Sequence, residues 1–172
     1  MEFASEHFRR FARYNAWANE RLYRACGRLP EAEYLKPRPA FFKSIHGTLN
    51  HILVGDRIWL GRFQNRDAGI KALNQQLYGD FLGLHVARQA EDALIIAFIE
   101  DLGPADYRRE ISYRNMRGES FRQPLNLLLA HYFNHQTHHR GQAHDLLSQT
   151  AVPPPELDLI FFLRSESQPA RT

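Results

Sequence analysis

His135 and His139 stand four residues apart in the stretch Asn134-His135-Gln136-Thr137-His138-His139-Arg140-Gly141-Gln142. On a helix that spacing stacks the two imidazoles one above the other, with Cβ atoms about 5–6 Å apart, and two such rings can close on a single metal ion. The zinc-protease pattern H-E-x-x-H uses the same spacing, with a glutamate general base after the first histidine. Here that position holds Gln136, so metal binding is expected without protease chemistry. Helical phase orders the neighbouring histidines. Stepping about 100° per residue, the apolar residues Leu125, Leu128, Leu129, Tyr132, Ala143, Leu146 and Leu147 define one arc. His139 falls inside it and His135 at its border, whereas His138, His144 and Arg140 fall outside. His131, one turn before His135, can orient a ligand, face a substrate or simply pack. Arg140 can reach a substrate carboxylate or cap a neighbouring element. Ordinary core histidines are the plain alternative, but two stacked neutral imidazoles need several hydrogen-bond partners at once in an apolar interior.

Two ligands do not make a stable site, so a third is expected from another helix, where His7, His46, His51 and His85 are available. Periodicity does not choose between His46 and His51, although Thr48 and Gly55 leave room on the strip that carries His51. Asp56 falls in the middle of an apolar arc with Ile45, Ile52 and Phe63. A carboxylate there needs a partner, whether an arginine, a tryptophan N–H or the free ring nitrogen of a ligand histidine. It is expected to anchor a hydrogen bond rather than hold a metal. A carboxylate-bridged di-iron centre needs E-x-x-H motifs on two helices, and Glu31, Glu33, Glu91 and Glu100 are not spaced that way. The single cysteine, Cys26, excludes an intramolecular disulfide and a Cys-rich zinc site; it is expected to pack as a small hydrophobe.

Four long segments have the period needed to position these residues. They run from about Glu2 to Cys26, Ile45 to Phe63, Leu77 to Leu102, and Pro124 to Ser148. Gly27 and Pro30 stop the first, Ser44 is a plausible N-cap for the second, and Gly103-Pro104 closes the third. Pro124 suits a first helical turn. Between the last two helices, Tyr107 to Arg122 alternates apolar and polar residues around Arg117-Gly118, which reads as a short β-hairpin. After the prolines 153–155, Leu157 to Leu163 reads as one or two helical turns. A chain of 172 residues suits one domain, expected over 1–164 with a flexible tail at 165–172. The fold class is therefore all-α, a four-helix bundle whose core can house a metal site on facing helices.

Charge and hydropathy narrow the partners. Lys plus Arg total 22 against 19 acidic residues, a net charge of +3 without any long run of one sign, so no nucleic acid is expected. No stretch is apolar enough to span a membrane, and the N-terminal residues lack a signal-peptide core, so a cytoplasmic location is expected.

Three segments together resemble the DinB/YfiT-like family: Tyr14-Asn15-Ala16-Trp17-Ala18-Asn19, Leu49-Asn50-His51-Ile52-Leu53 with Asp56 and Trp59, and His131 through the H-x-x-H-H-R-G-Q run ending at Gln142. The likeness extends to Leu157-Asp158-Leu159. It implies an up-down-down-up bundle, a homodimer, and one divalent metal ion per chain held by His51, His135 and His139. Zinc is the leading candidate, with nickel or iron as alternatives. It also implies activities such as low-molecular-weight thiol transfer or thiol-dependent isomerisation. Three neutral imidazoles leave a coordination position open, as catalytic sites do. The expected function is thus activation of a small thiol cosubstrate, or of water, for attack on an electrophile. The alternative is a non-catalytic metal- or ligand-binding module acting through a dimer surface.

Overall fold

The computed structural model describes residues 2–167. Helix α1 (Glu2–Cys26) ends where Gly27 N–H closes on the Tyr23 carbonyl at 2.8 Å and Pro30 cannot continue the ladder. A five-residue helix, α2 (Glu31–Leu35), follows. The sequence pattern did not foreshadow it, because one helical turn is too short to show a period. Helix α3 (Ile45–Phe63) starts at Ser44, whose hydroxyl accepts from Gly47 N–H at 2.9 Å and satisfies a donor the helix itself cannot. A crossover, 64–80, leads to α4 (Phe81–Glu100).

Helix α4 begins four residues later than its apolar pattern suggests. The N–H groups of Leu77 and Tyr78 donate to Asn50 Oδ1 at 2.9 and 3.2 Å, which takes them out of a helical ladder. Asp80 then caps the start through Gly83 N–H. The hairpin expected between the last two long helices is present: β1 (Glu110–Arg114) pairs antiparallel with β2 (Ser120–Pro124), with Ser112 opposite Arg122. Its turn is held by Asn115 Oδ1, which accepts from Arg117 and Glu119 N–H groups, and by Gly118 at φ 84°. That conformation is strained for any residue with a Cβ. Helix α5 (Leu125–Ser148) follows directly, and α6 (Leu159–Glu166) packs Phe162 against Tyr14 and Trp17 of α1. Helix α6 runs beyond the boundary expected at residue 164, since Glu166 accepts from Arg13 Nε at 3.0 Å. The rest of the expected tail, 168–172, lies outside the described residues.

Side-chain pairs give the direction of each helix. Along α3 and α4, Asp56 meets Arg88, Arg57 meets Glu91 and Phe63 meets Phe98, so these two run parallel. Their long crossover is what permits it. Helix α5 runs against α3, pairing His51 with His139 and Trp59 with His131. Helix α1 runs with α5, pairing Phe8 with Phe133 and Asn19 with Arg140, and against α4, pairing Tyr23 with His85 and Asn15 with Asp92. The bundle is therefore up-down-down-up.

The core is divided. One apolar cluster, including Leu22, Leu49, Leu53, Leu84 and Leu147, fills one end of the bundle. A second, including Phe8, Phe63, Ile95, Ile99 and Leu129, fills the other. Between them lies a buried polar layer drawn from all four long helices: Asn15, Asn19, Asp56, Arg88, Asp92, Gln136 and Arg140. Two aspartates and two arginines cancel in formal charge. No helix among the described residues is long and apolar enough to cross a membrane.

Candidate metal centre

The antiparallel crossing of α3 and α5 sets His51 opposite the His135–His139 stack. One ring nitrogen from each of the three histidines lies within 4.8 Å of the others. Ring centroids are 4.4 Å apart for His51–His139, 4.3 Å for His135–His139 and 5.3 Å for His51–His135. The approach depends on Gly55. A Cβ built there would lie 2.8 Å from Cε1 of His135, so only glycine lets that ring lie against α3.

Hydrogen bonds fix the proton on two of these rings. His51 Nδ1 lies 2.8 Å from the carbonyl oxygen of Leu73; a carbonyl only accepts, so Nδ1 carries the proton and Nε2 presents a lone pair. His139 Nδ1 donates in the same way to Gln142 Oε1 at 2.8 Å, while the Gln142 amide nitrogen donates to His138 Nε2 at 3.1 Å. The two Nε2 atoms of His51 and His139 then face each other at 3.2 Å with lone pair toward lone pair. Nδ1 of His135 is buried without a hydrogen-bond partner. Electron pairs converging in this way fit a cation among them, and the outer hydrogen bonds hold the rings in the tautomer that a metal requires.

Burial depresses the basicity of all three. It is the largest cause for His135, which falls to about 3, and for His139, which falls to about 4, with the neighbouring imidazoles adding to the effect. His51 is lowered for the same reason. His135 and His139 therefore stay neutral well below pH 7, the form in which an imidazole can hold a metal, and His51 is shifted in the same direction. Phe42 stacks on His51 at 3.8 Å between centroids and meets His139 edge-on at 5.6 Å, covering one side. A cleft of about 300 Å³ opens beside His51 and His135, lined by Ile58, Trp59, Arg62 and Met116 among others.

The remaining sequence candidates lie elsewhere. His46 is buried with both nitrogens engaged, Nδ1 with the Tyr34 hydroxyl at 3.0 Å and Nε2 with the Asn50 amide at 3.1 Å. Through Asn50 it braces the crossover that carries Leu73. His131 is exposed, edge-on to Trp59 at 5.0 Å and 5.9 Å from His135. It stands at the cleft's edge and outside the three-histidine cluster. His138 is exposed, and His144 meets the Pro155 carbonyl oxygen at 2.9 Å. His85 sits 3.5 Å from Glu20, and His7 stacks among Phe3, Phe8 and Phe11.

Asp56 is fully buried and accepts from Arg88, whose other arm faces Asp92 at 2.9 Å. Burial raises its pKa and the Arg88 guanidinium pulls it back. It is a hydrogen-bond anchor, apart from the histidine cluster. Arg140 departs from its sequence reading. The apolar arc left it outside, yet it is buried, donating to Asn15, Asn19 and Gln136 and lying over the Tyr14 ring. Helix α5 packs against both α3 and α1, so its buried surface is wider than one apolar stripe. Arg140 lines a different cleft, with Tyr14 and Leu157. Cys26 is buried and its thiol is pushed up to about 12 by that burial, so it packs and does not attack.

Sequence reasoning missed Phe42, the Leu73 carbonyl, Gln142 and Arg88. Gln142 left a signal, since it stands one turn beyond His139. A backbone carbonyl in a crossover leaves none.

Comparison with known proteins agrees with this architecture. The model of the DinB family matches residues 4–171. Protein DinB of Bacillus subtilis (strain 168) is 27% identical over 167 residues, covering 87% of this chain and 91% of its own length. With a family match over nearly its whole length, the chain belongs to the DinB family.

Proposed function

We propose that this protein is a metal-dependent enzyme that activates a small thiol cosubstrate, or water, for attack on an electrophile held in the cleft beside His51 and His135. The observation that supports it is the convergence of three neutral imidazoles, two of them oriented by hydrogen bonds, with Phe42 stacked on His51 and a cleft open beside His51 and His135. One divalent ion per chain is the expected cofactor. Zinc comes first, with nickel or iron as alternatives, because a three-imidazole donor set suits each of them. Such an ion, held by His51, His135 and His139, would lower the pKa of a thiol or water bound to it.

The chain's own groups do the rest. Leu73 and Gln142 keep the ring protons of His51 and His139 on the outer nitrogens. Phe42 and Gly55 hold the rings close and keep water from one flank. Since Cys26 is buried and poorly acidic, the attacking sulfur would come from outside. A free, unpaired thiol suits the reducing cytoplasm.

Metal analysis of the purified protein beside His51→Ala and His139→Ala tests the site; each variant should lose most of its metal, and stoichiometric retention by both overturns it. Loss of a chromogenic electrophile with a panel of cellular thiols, and of ester and amide substrates without them, tests turnover. No metal-dependent reaction with any of these refutes the enzyme.

A second reading, a metal- or ligand-binding module that works through a homodimer surface, has one feature in its favour. The outer face of α4 exposes Leu82, Val86, Ala90, Ala93, Leu94 and Ala97. Gln89 is the only exposed polar residue between Leu82 and Ala97. Solvated helix faces are normally charged, and an apolar strip of this length suits a partner. A second copy of the same face is self-complementary.

A further inference from the structure

The cleft beside the three histidines is bounded on its outer side by the tip of the hairpin. Its lining includes two arginines, Arg62 and Arg117, and no aspartate or glutamate. Arg62 is half-buried and held in place: its Nη2 donates to the Arg114 carbonyl oxygen at 2.9 Å. Its guanidinium lies over Trp59 at 4.5 Å and over Tyr113 at 4.9 Å. It has no carboxylate partner among the described residues. Burial lowers its pKa, the Tyr113 phenol offsets part of that, and no carboxylate contributes. The same positive charge lowers the pKa of His131 at the cleft's edge, after burial.

A fixed, part-desolvated cation without a counter-charge is costly unless an anion completes it. Elsewhere in this protein buried and half-buried guanidinium groups are met, Arg140 by the amide oxygens of Asn15, Asn19 and Gln136 and others by carboxylates. Arg88 meets Asp56 and Asp92, Arg57 meets Glu91, and Arg38 meets Glu33. Arg117, at the exposed hairpin tip, adds a second guanidinium to the same wall. The rest of the wall is apolar, with Ile58, the Trp59 ring and Met116.

We propose that this cleft binds a small organic carboxylate, its apolar body against Ile58, Trp59 and Met116 and its carboxylate taken by the guanidinium groups of Arg62 and Arg117. Arginine's planar fork suits a carboxylate, and the volume is at the small-molecule end of the usual range. The inference rests on the reading above, in which the cleft holds a reactant, and it names the chemical class of that reactant.

The test uses the full chain carrying Trp17→Phe, so that Trp59 reports alone, in metal-free and zinc-loaded forms. Quenching of Trp59 emission is followed with benzoate and with its uncharged isostere benzamide. Benzoate should bind at least about tenfold more tightly in both forms, and the preference should shrink as salt rises. Arg117→Ala should reduce the preference about threefold, since that side chain is exposed. Arg62→Gln together with Arg117→Ala should abolish it, with benzamide binding unchanged and the far-ultraviolet spectrum intact.

Equal binding of the two probes, no binding of either, or a preference that survives in the double variant overturns the proposal. A preference seen only with zinc also overturns it, because the carboxylate would then be reading the metal and not the arginines. Failure of the functional reading looks different: the His51 and His139 variants would keep their metal, or turnover would be absent, while the benzoate preference stood.

Discussion

At the scale of single residues, the behaviour of this site turns on imidazoles that resist protonation. A free histidine titrates near pH 6.5, but burial holds His135 near 3 and His139 near 4. Between those values the unfolded chain binds protons that the folded chain refuses, so stability rises with pH across that window. The contribution of each ring is complete above about pH 6.5 and is lost progressively as pH falls toward its folded value. By pH 5 each neutral ring should have cost the metal-free fold on the order of 1–2 kcal/mol. Ring-nitrogen chemical shifts of metal-free protein should keep His135 and His139 in the neutral form at pH 5. Titration of both near 6.5 would show that they are not buried against one another as described.

At the scale of elements, the polar layer determines how the helices register. Arg88 on α4 binds Asp56 on α3 and faces Asp92 on its own helix. Asp92 accepts from Asn15 and Asn19 of α1, which in turn accept from Arg140 of α5. One continuous chain of polar contacts therefore ties the four long helices at mid-height, close to the level of His135. Arg88→Met strands two buried carboxylates, and breaking a buried pair from one side costs about 3–5 kcal/mol. Denaturant titration should show that loss. Adding Asp56→Asn and Asp92→Asn to the same variant should restore most of it, because the stranded charges are then gone. An Arg88→Met protein as stable as wild type would mean that the layer carries no energetic weight. On this argument the layer's value is specificity of packing: helices sliding by one turn would bury unpaired charges.

For the whole molecule, the outer face of α4 is an apolar strip exposed to solvent. Leu82, Val86 and Leu94 are 70%, 58% and 54% exposed, and α4 carries no exposed charge between Leu82 and Ala97. If a second copy covers this strip, light scattering should give twice the chain mass, and Val86→Glu with Leu94→Glu should halve it without unfolding the bundle. A wild-type protein that stays monomeric at high micromolar concentration would leave the strip unexplained and refute the dimer. The cleft and the histidines are formed by α3, α5, Leu73 of the crossover and the hairpin, without any α4 residue in the lining. The dimer variants should therefore leave metal content unchanged.

The sequence alone settled the features that depend on local period and on residue type. Helices α1 and α3 have the bounds their apolar spacing and caps predict, because a 25-residue and a 19-residue segment repeat the pattern often enough to be read. The i, i+4 spacing of His135 and His139 likewise makes them neighbours on any helix. The family resemblance supplied the bundle topology and the choice of His51, but the physical reason for that choice needed the tertiary structure. Periodicity could not choose between His46 and His51. The choice falls to Tyr34 and Asn50, which occupy both nitrogens of His46, and to the Leu73 carbonyl, which turns His51 toward α5. Arg140 was misplaced and the start of α4 was drawn too early for the same reason: the deciding partners lie far along the chain, Asn15 for one and Asn50 for the other. Spacing along a helix is a property of the chain, whereas the partner that satisfies a buried polar group exists only once the helices have met.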